Sequence, residues 1–186
     1  MVETEVKIPF HGDPRSARDL IESHGYAASG PRTLESDQLF DRGASELKSA
    51  DQLLRLRRSG VVSTVTYKGP ATRERYKSRE EIEFDVSDPA NFELVLARLG
   101  YTPGFRYEKY RTKFAAAPGL ITIDETPIGV FLELEGPMDW IDVTASRLGF
   151  SPSEYCTASY AALYREYARS HQGIPANMVF STRDAP

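Results

Sequence analysis

Val2-Glu3-Thr4-Glu5-Val6-Lys7-Ile8 alternates charged with apolar or β-branched residues. A strand sends residues i and i+2 to the same face. Glu3, Glu5 and Lys7 therefore share one face, with Val2, Thr4 and Val6 on the other. The pattern recurs at Glu81-Ile82-Glu83 and Glu133-Leu134-Glu135, and each copy precedes a helical segment. Carboxylates held side by side repel and raise one another's pKa unless a cation lies between them. Three such pairs in one small chain point to a bound divalent cation, a ring of Lys and Arg partners, or both.

Basic residues follow the same period. Lys77 and Arg79 lead into Glu81 and Glu83. Arg55 and Arg57 share a face opposite Leu54 and Leu56. Lys109, Arg111 and Lys113 share one opposite Tyr110 and Thr112, and Lys68 closes the strand from Val62. Faces of mixed sign on nearly every strand fit an α+β fold: an antiparallel closed β-barrel of about eight strands forming a charged tunnel. Helices would pack on its apolar outside. The competing reading is a set of salt-bridge ladders on a solvated sheet face.

The chain has 186 residues, enough for one domain with a real core. The expected division is a domain over 1–170 and a C-terminal tail over 171–186. A net charge of −4 argues against a general attraction to nucleic acid, while a local basic tunnel remains compatible with it. Cys156 is the only cysteine, so no intrachain disulfide forms, which fits a reducing cytoplasm. No signal peptide or membrane-spanning run is read. A cytoplasmic protein is expected, and a homodimer is compatible with the sequence.

Further elements follow from caps and turns. Asp13-Pro14 and Asp88-Pro89 read as N-cap followed by Pro at the first helical position, with Gly25 and Gly100 as stops. Asp37–Asp41 reads as a short strand, Ser59-Gly60 as a hairpin turn, and Thr72–Arg75 as a charged, mobile connection. Phe105–Phe114 reads as a long strand and Pro127-Ile128-Gly129 as another turn. Helices are expected over Met138–Leu148 and Ser159–Arg169. The glutamate strand, helix and Gly-aromatic succession suggests an internal repeat, although capped helices commonly stop at Gly.

In this order the residues resemble the CYTH superfamily, the triphosphate tunnel metalloenzymes. The matching features are Glu3-Thr-Glu5-Val-Lys7, Arg55-Leu-Arg57, Thr66-Tyr-Lys68-Gly-Pro70 and Arg79-x-Glu81-x-Glu83. Glu108-Lys-Tyr-Arg111, Asp124, Glu133-Leu-Glu135 and Ser159-Tyr160 with Leu163 follow. The family includes class IV adenylyl cyclases, thiamine triphosphatases and inorganic triphosphatases, and the resemblance covers residues 1 to about 168. One departure is Leu39, where many members carry a tyrosine proposed to act with the lysine corresponding to Lys68.

The resemblance implies a small triphosphate gripped by Lys7, Arg55, Arg57, Lys68, Arg79, Lys109 and Arg111. Arg suits bidentate contacts to phosphate oxygens and Lys acts as a point charge. It implies Mg²⁺ or Mn²⁺ held first by Glu3, Glu5, Glu133 and Glu135, and second by Glu81 and Glu83, which could instead pair with Arg79 and Lys77. Lys68, Glu133 and Glu135 are the expected catalytic residues. The expected activity is metal-dependent hydrolysis of a phosphoanhydride in inorganic, nucleoside or thiamine triphosphate. Conversion of ATP to cyclic AMP and pyrophosphate is the alternative, and a non-catalytic triphosphate or polyphosphate binder is third.

Overall fold

Residues 2–181 are described by a computed structural model. Its strands are β1 (Val2–Phe10), β2 (Thr33–Arg42), β3 (Leu53–Ser59), β4 (Val62–Lys68), β5 (Thr72–Arg73), β6 (Lys77–Asp85), β7 (Tyr101–Ala116), β8 (Gly119–Thr126) and β9 (Gly129–Glu135). They pair in the order β1-β9-β8-β7-β2-β3-β4-β6, and β6 returns to β1. All of these pairings are antiparallel, so eight strands close a barrel, and β5 is an extra piece on β6. Outside lie α1 (Pro14–Ser23), α2 (Glu46–Ser49), α3 (Pro89–Arg98), α4 (Met138–Arg147) and α5 (Tyr160–Ser170).

The core sits outside the barrel because the apolar half of each alternating strand points outward. Val6, Ile8, Ile121, Ile123, Leu132 and Leu134 meet Ile21 of α1 and Ile141 of α4, all 0–2% exposed. Each such side chain contributes roughly 1.5–3 kcal/mol on burial. Leu96 of α3 packs on Phe40, Leu56 and Val65. The cover is incomplete, since Ile82 and Phe84 on the outer face of β6 are each 51% exposed.

The repeated cap signals are real. Asp13 accepts from the Ser16 amide at 2.7 Å and Asp88 from the Asn91 amide at 3.0 Å. Gly25 and Gly100 follow their helices at φ 88° and 83°, where a side chain would strain the backbone.

Three segments differ from the sequence expectation. β2 starts at Thr33 rather than Asp37, held on both sides by β3 and β7. β7 starts at Tyr101 rather than Phe105, because Tyr101, Thr102 and Pro103 pair with β2 despite the Pro-Gly. Thr72–Arg75 is no free connection. Thr72 and Arg73 pair with Ser78 and Lys77, Arg73 makes two 2.6 Å bonds to Asp51, and Arg75 contacts Asp142 at 2.7 Å.

The segment after α5 packs back on the barrel. Met178 is fully buried, and its backbone bonds to Arg106 and Glu108 of β7 at 3.1 and 2.8 Å. The last tail residues, 182–186, lie outside the described residues.

Candidate functional site

Strand register decides which charges meet inside. Glu3 lies opposite Arg79, and Glu5 opposite Lys77 on one side and Glu135 on the other. Lys7 faces Glu133, Arg55 faces Thr66, Thr66 faces Glu83, and Lys68 faces Glu81. One cavity of about 240 Å³ results. Every expected site residue lines it: Glu3, Glu5, Lys7, Arg55, Arg57, Lys68, Arg79, Glu81, Glu83, Lys109, Arg111, Glu133 and Glu135.

Most of its cations are paired. Lys7 contacts Glu5 at 3.3 Å and Glu133 at 3.0 Å, while Lys77 bonds to Glu5 and Lys68 to Glu81. Arg57 donates to Asp37 at 2.9 and 3.3 Å, and Arg55 donates to Thr66 at 2.9 Å. Arg111 bonds to both oxygens of Asp124, at 2.6 and 2.5 Å, and to Glu133. Lys109 donates to Asp124 at 2.7 Å.

Burial alone would raise the carboxyl pKa values. Lys7 and Lys77 nevertheless hold Glu5 low, and Lys7 with Arg111 does the same for Glu133. Burial pushes Lys77 down to about 8, opposed by Glu5.

The Glu3 end is different. Burial, a hydrogen bond to Glu81 and the charges of Glu81 and Glu135 push Glu3 up to about 8. Glu135 is also raised, by burial and then by Glu5 and Glu133. A proton held between two carboxylates occupies a place a divalent cation could take. Among the described residues no ready-made group of three or more His, Cys, Asp or Glu is arranged around a metal position. The oxygen donors at Glu3 and Glu81 still suit Mg²⁺, which uses one or two carboxylates and completes its shell with water and substrate phosphates. Glu3, Glu81 and Glu135 are thus better placed for this than Glu5 and Glu133, whose oxygens serve Lys7, Lys77 and Arg111.

Arg79 and Glu83 take other partners as well. Arg79 donates from Nε and Nη2 to the Gly69 carbonyl at 2.9 and 2.6 Å, and to the Asp51 carbonyl at 3.1 Å. Its guanidinium thus ties the loops before β3 and after β4 to β6 while lining the cavity. Glu83 accepts from Thr66 at 2.7 Å rather than meeting Lys77.

Several residues of the site are assigned no role from the sequence, although Asp37, Lys77, Asp124 and Tyr160 stand there as strand or motif residues. Asp124 and Asp37 are 0% exposed, and Glu35 is 3% exposed. They anchor the basic ring from behind. Tyr160, at the start of α5, donates to Asp124 at 2.7 Å, and Lys7 and Lys109 lie 5.2 and 5.1 Å from its ring centre. Lys77 carried a signal, its i+2 spacing to Arg79. Asp124 and Tyr160 stood in the motif order of the resemblance, and Glu35 carried no signal of its own. Leu39 sits where the β2–β7 register shifts and packs on the Tyr107, Phe131 and Tyr160 cluster.

Comparison with known proteins places this geometry. A provisionally named adenylate cyclase of Methanocaldococcus jannaschii is 27% identical over 136 residues, 73% of this chain and 77% of that protein. A Pyrococcus horikoshii structure superposes with TM-score 0.74 at 23% identity, covering 89% of this chain and 99% of that one. A Hippeastrum protein described as having a dominant triphosphatase activity superposes with TM-score 0.65 at 15% identity, over 89% and 95%. No helix among the described residues is long and apolar enough to cross a membrane. A family model described as the CYTH domain matches residues 1–139, and the chain belongs to that family.

Proposed function

We propose that this chain is a divalent-metal-dependent hydrolase of a small triphosphate, with Mg²⁺ or Mn²⁺ as cofactor. The observation that carries this reading is the charge balance of the tunnel. Nine cationic side chains and six carboxylates line the cavity. With every group ionised, the buried Glu35, Asp37 and Asp124 behind them would bring the two signs level, and the proton shared by Glu3 and Glu81 leaves only a small excess of positive charge. A polyanion entering a nearly balanced site needs added positive charge, and the Glu3–Glu81 contact offers a place to hold it. A cavity of about 240 Å³ is also smaller than the roughly 300–1,000 Å³ typical of drug-sized ligands. It suits a phosphate chain better than a whole nucleotide.

Arg55, Arg57, Lys68, Lys109 and Arg111 would grip the phosphate oxygens and stabilise charge as it develops on the leaving diphosphate. Glu3, Glu81 and Glu135 would hold the metal, which supplies Lewis-acid neutralisation of phosphate oxygens when bound. A water O–P bond would form as the water O–H bond and the phosphoanhydride P–O bond break, the proton passing to the released phosphates or to solvent, and orthophosphate and diphosphate would leave. Burial disfavours the charged forms of Lys7 and Arg111, but Glu133 and Glu5 beside the one, and Asp124 and Glu133 beside the other, keep them protonated. Leu39 offers no hydroxyl, so water activation by a tyrosine at that position has no counterpart here.

Adenylyl cyclisation is the second reading, favoured by the name of the Methanocaldococcus relative. Phosphorus NMR of the protein with inorganic triphosphate and, separately, ATP in Mg²⁺ or Mn²⁺ distinguishes them. Orthophosphate release, lost in the Glu133→Gln/Glu135→Gln variant, supports hydrolysis. Pyrophosphate with cyclic AMP replaces it by cyclisation.

A further inference from the structure

A further hollow opens at the rim of the barrel, beside exposed residues of the α1–β2 loop. This second cavity of about 180 Å³ is bounded by Ser29, Gly30 and Pro31 of the α1–β2 loop, Thr33 and Glu35 of β2, Ser59, Arg111 and Lys113. Arg111 and Lys113 also line the first cavity, whereas Arg57 and Lys109 line only the first and Glu35 only the second. Glu35 therefore lies behind the cations that face the first cavity.

Its contacts are unusual for a buried acid. Arg57, Lys109 and Arg111 approach Glu35 Oε2 at 3.1, 3.6 and 3.8 Å. The same oxygen is buried and accepts no aligned hydrogen bond. Each of the three cations has a better partner: Asp37 for Arg57, and Asp124 for Lys109 and Arg111. The fold therefore does not depend on Glu35 to pair them. What Glu35 adds is a negative charge between two chambers that share a basic wall.

We propose that Glu35 is a charged septum that limits the length of linear phosphate the tunnel accepts. This rests on the triphosphate reading above. A phosphate chain can reach Arg57, Lys109 and Arg111, but its next phosphate would meet the Glu35 carboxylate. Burial would neutralise that carboxylate, but Arg57, Arg111 and Lys109 keep it ionised. Beyond it, Lys113 has no carboxylate at ion-pair distance among the described residues, and the Thr33, Ser29 and Ser59 hydroxyls line the wall. Without the septum that chamber would take a fourth phosphate.

The test is calorimetric binding of linear di-, tri- and tetraphosphate at low temperature, with Mg²⁺ and again with chelator. Wild type, Glu35→Ala and Glu35→Gln are compared. In wild type, tetraphosphate binds no tighter than triphosphate. In Glu35→Ala the tetraphosphate Kd tightens about tenfold relative to triphosphate, and in Glu35→Gln several-fold. Adding Lys113→Met abolishes the gain. An unchanged tetraphosphate-to-triphosphate ratio in both variants, or a gain that survives Lys113→Met, overturns the septum alone. Failure of wild type to bind triphosphate in either condition overturns the triphosphate reading and the septum with it. Glu35→Gln keeps the side-chain shape and carries the test if Glu35→Ala does not fold.

Discussion

The Tyr160 hydroxyl donates to Asp124 Oδ2 at 2.7 Å, joining the first turn of α5 to the centre of the barrel. Asp124 also holds Lys109 and Arg111, and it is fully buried. One carboxylate thus orients two of the proposed phosphate-binding cations and anchors the helix beside them. The site and the fold share this residue, so damage to one reaches the other.

Asp124→Asn leaves Arg111 and Lys109 without their main counter-charge in a buried setting. Removing one partner of such a network costs about 3–5 kcal/mol. Tyr160→Phe removes one hydrogen bond to a charged group and costs about 1.5–3 kcal/mol. Urea titrations of both variants check the order, with Asp124→Asn the larger loss. Equal losses would mean that the helix anchor, and not the cation pairing, dominates.

The Glu3–Glu81 contact sets a pH signature. With Glu3 at about 8 in the folded chain and near 4.5 unfolded, the folded state holds more protons between those values. Stability in chelator therefore falls as pH rises from about 4.5 to about 8, and Glu135 acts in the same direction. The depressed Glu5, Asp37 and Glu133 lose their contribution on the acid side, below the usual carboxylate range. Lys77, lowered to about 8, acts above that value. Melting temperatures across pH 5–8 should decline in wild type and flatten in Glu3→Gln. Mg²⁺ should restore the wild-type midpoint at pH 8 and leave Glu3→Gln unmoved, because a ligand selective for the folded state raises its stability.

The barrel was legible wherever charge alternated along one strand. Glu3, Glu5 and Lys7, or Lys109 and Arg111, announce their shared face by spacing alone. Glu35 did not: Asp37 opened the short strand that was read, but the polar run before it acquires its strand identity from β3 and β7, which are distant in sequence. Asp124 sits among Ile123 and Ile121, where a single acid has no period to reveal its role. Met178 was hidden for another reason. β8 pairs with β7 only from Tyr110 onward, so the β7 edge at Arg106–Glu108 is open, and the tail fills it. Such an edge exists only once the sheet is assembled.

Close packing between the β8 start and α4 gives a local prediction. A Cβ on Gly119 would stand 2.4 Å from the Trp140 ring and 2.6 Å from the Glu135 carbonyl. Both the ring and the backbone resist displacement, and overpacking of this kind costs about 1–3 kcal/mol. Gly119→Ala should lower the melting midpoint, and Gly119→Ala/Trp140→Leu should recover part of it. A double variant no better than the single would place the strain on the Glu135 backbone. That outcome should also disturb metal-dependent stabilisation, since Glu135 sits at the proposed ion position.

Arg79 and Lys68 separate structure from binding. Arg79 spends its guanidinium on the Gly69 and Asp51 carbonyls, so its replacement releases two loops, whereas Lys68 projects into the cavity toward Glu81. Arg79→Lys loses the planar fork that reaches two carbonyls, and its main effect should be a lower melting midpoint. Lys68→Met removes a point charge from the proposed phosphate path. It should weaken triphosphate binding about tenfold or more with a small change in stability, because Glu81 remains beside Glu3 and can share its proton or a cation. Calorimetry and melting curves on the two variants give opposite patterns if these roles hold. A loss of affinity in Arg79→Lys at unchanged melting midpoint would return Arg79 to the phosphate-binding set.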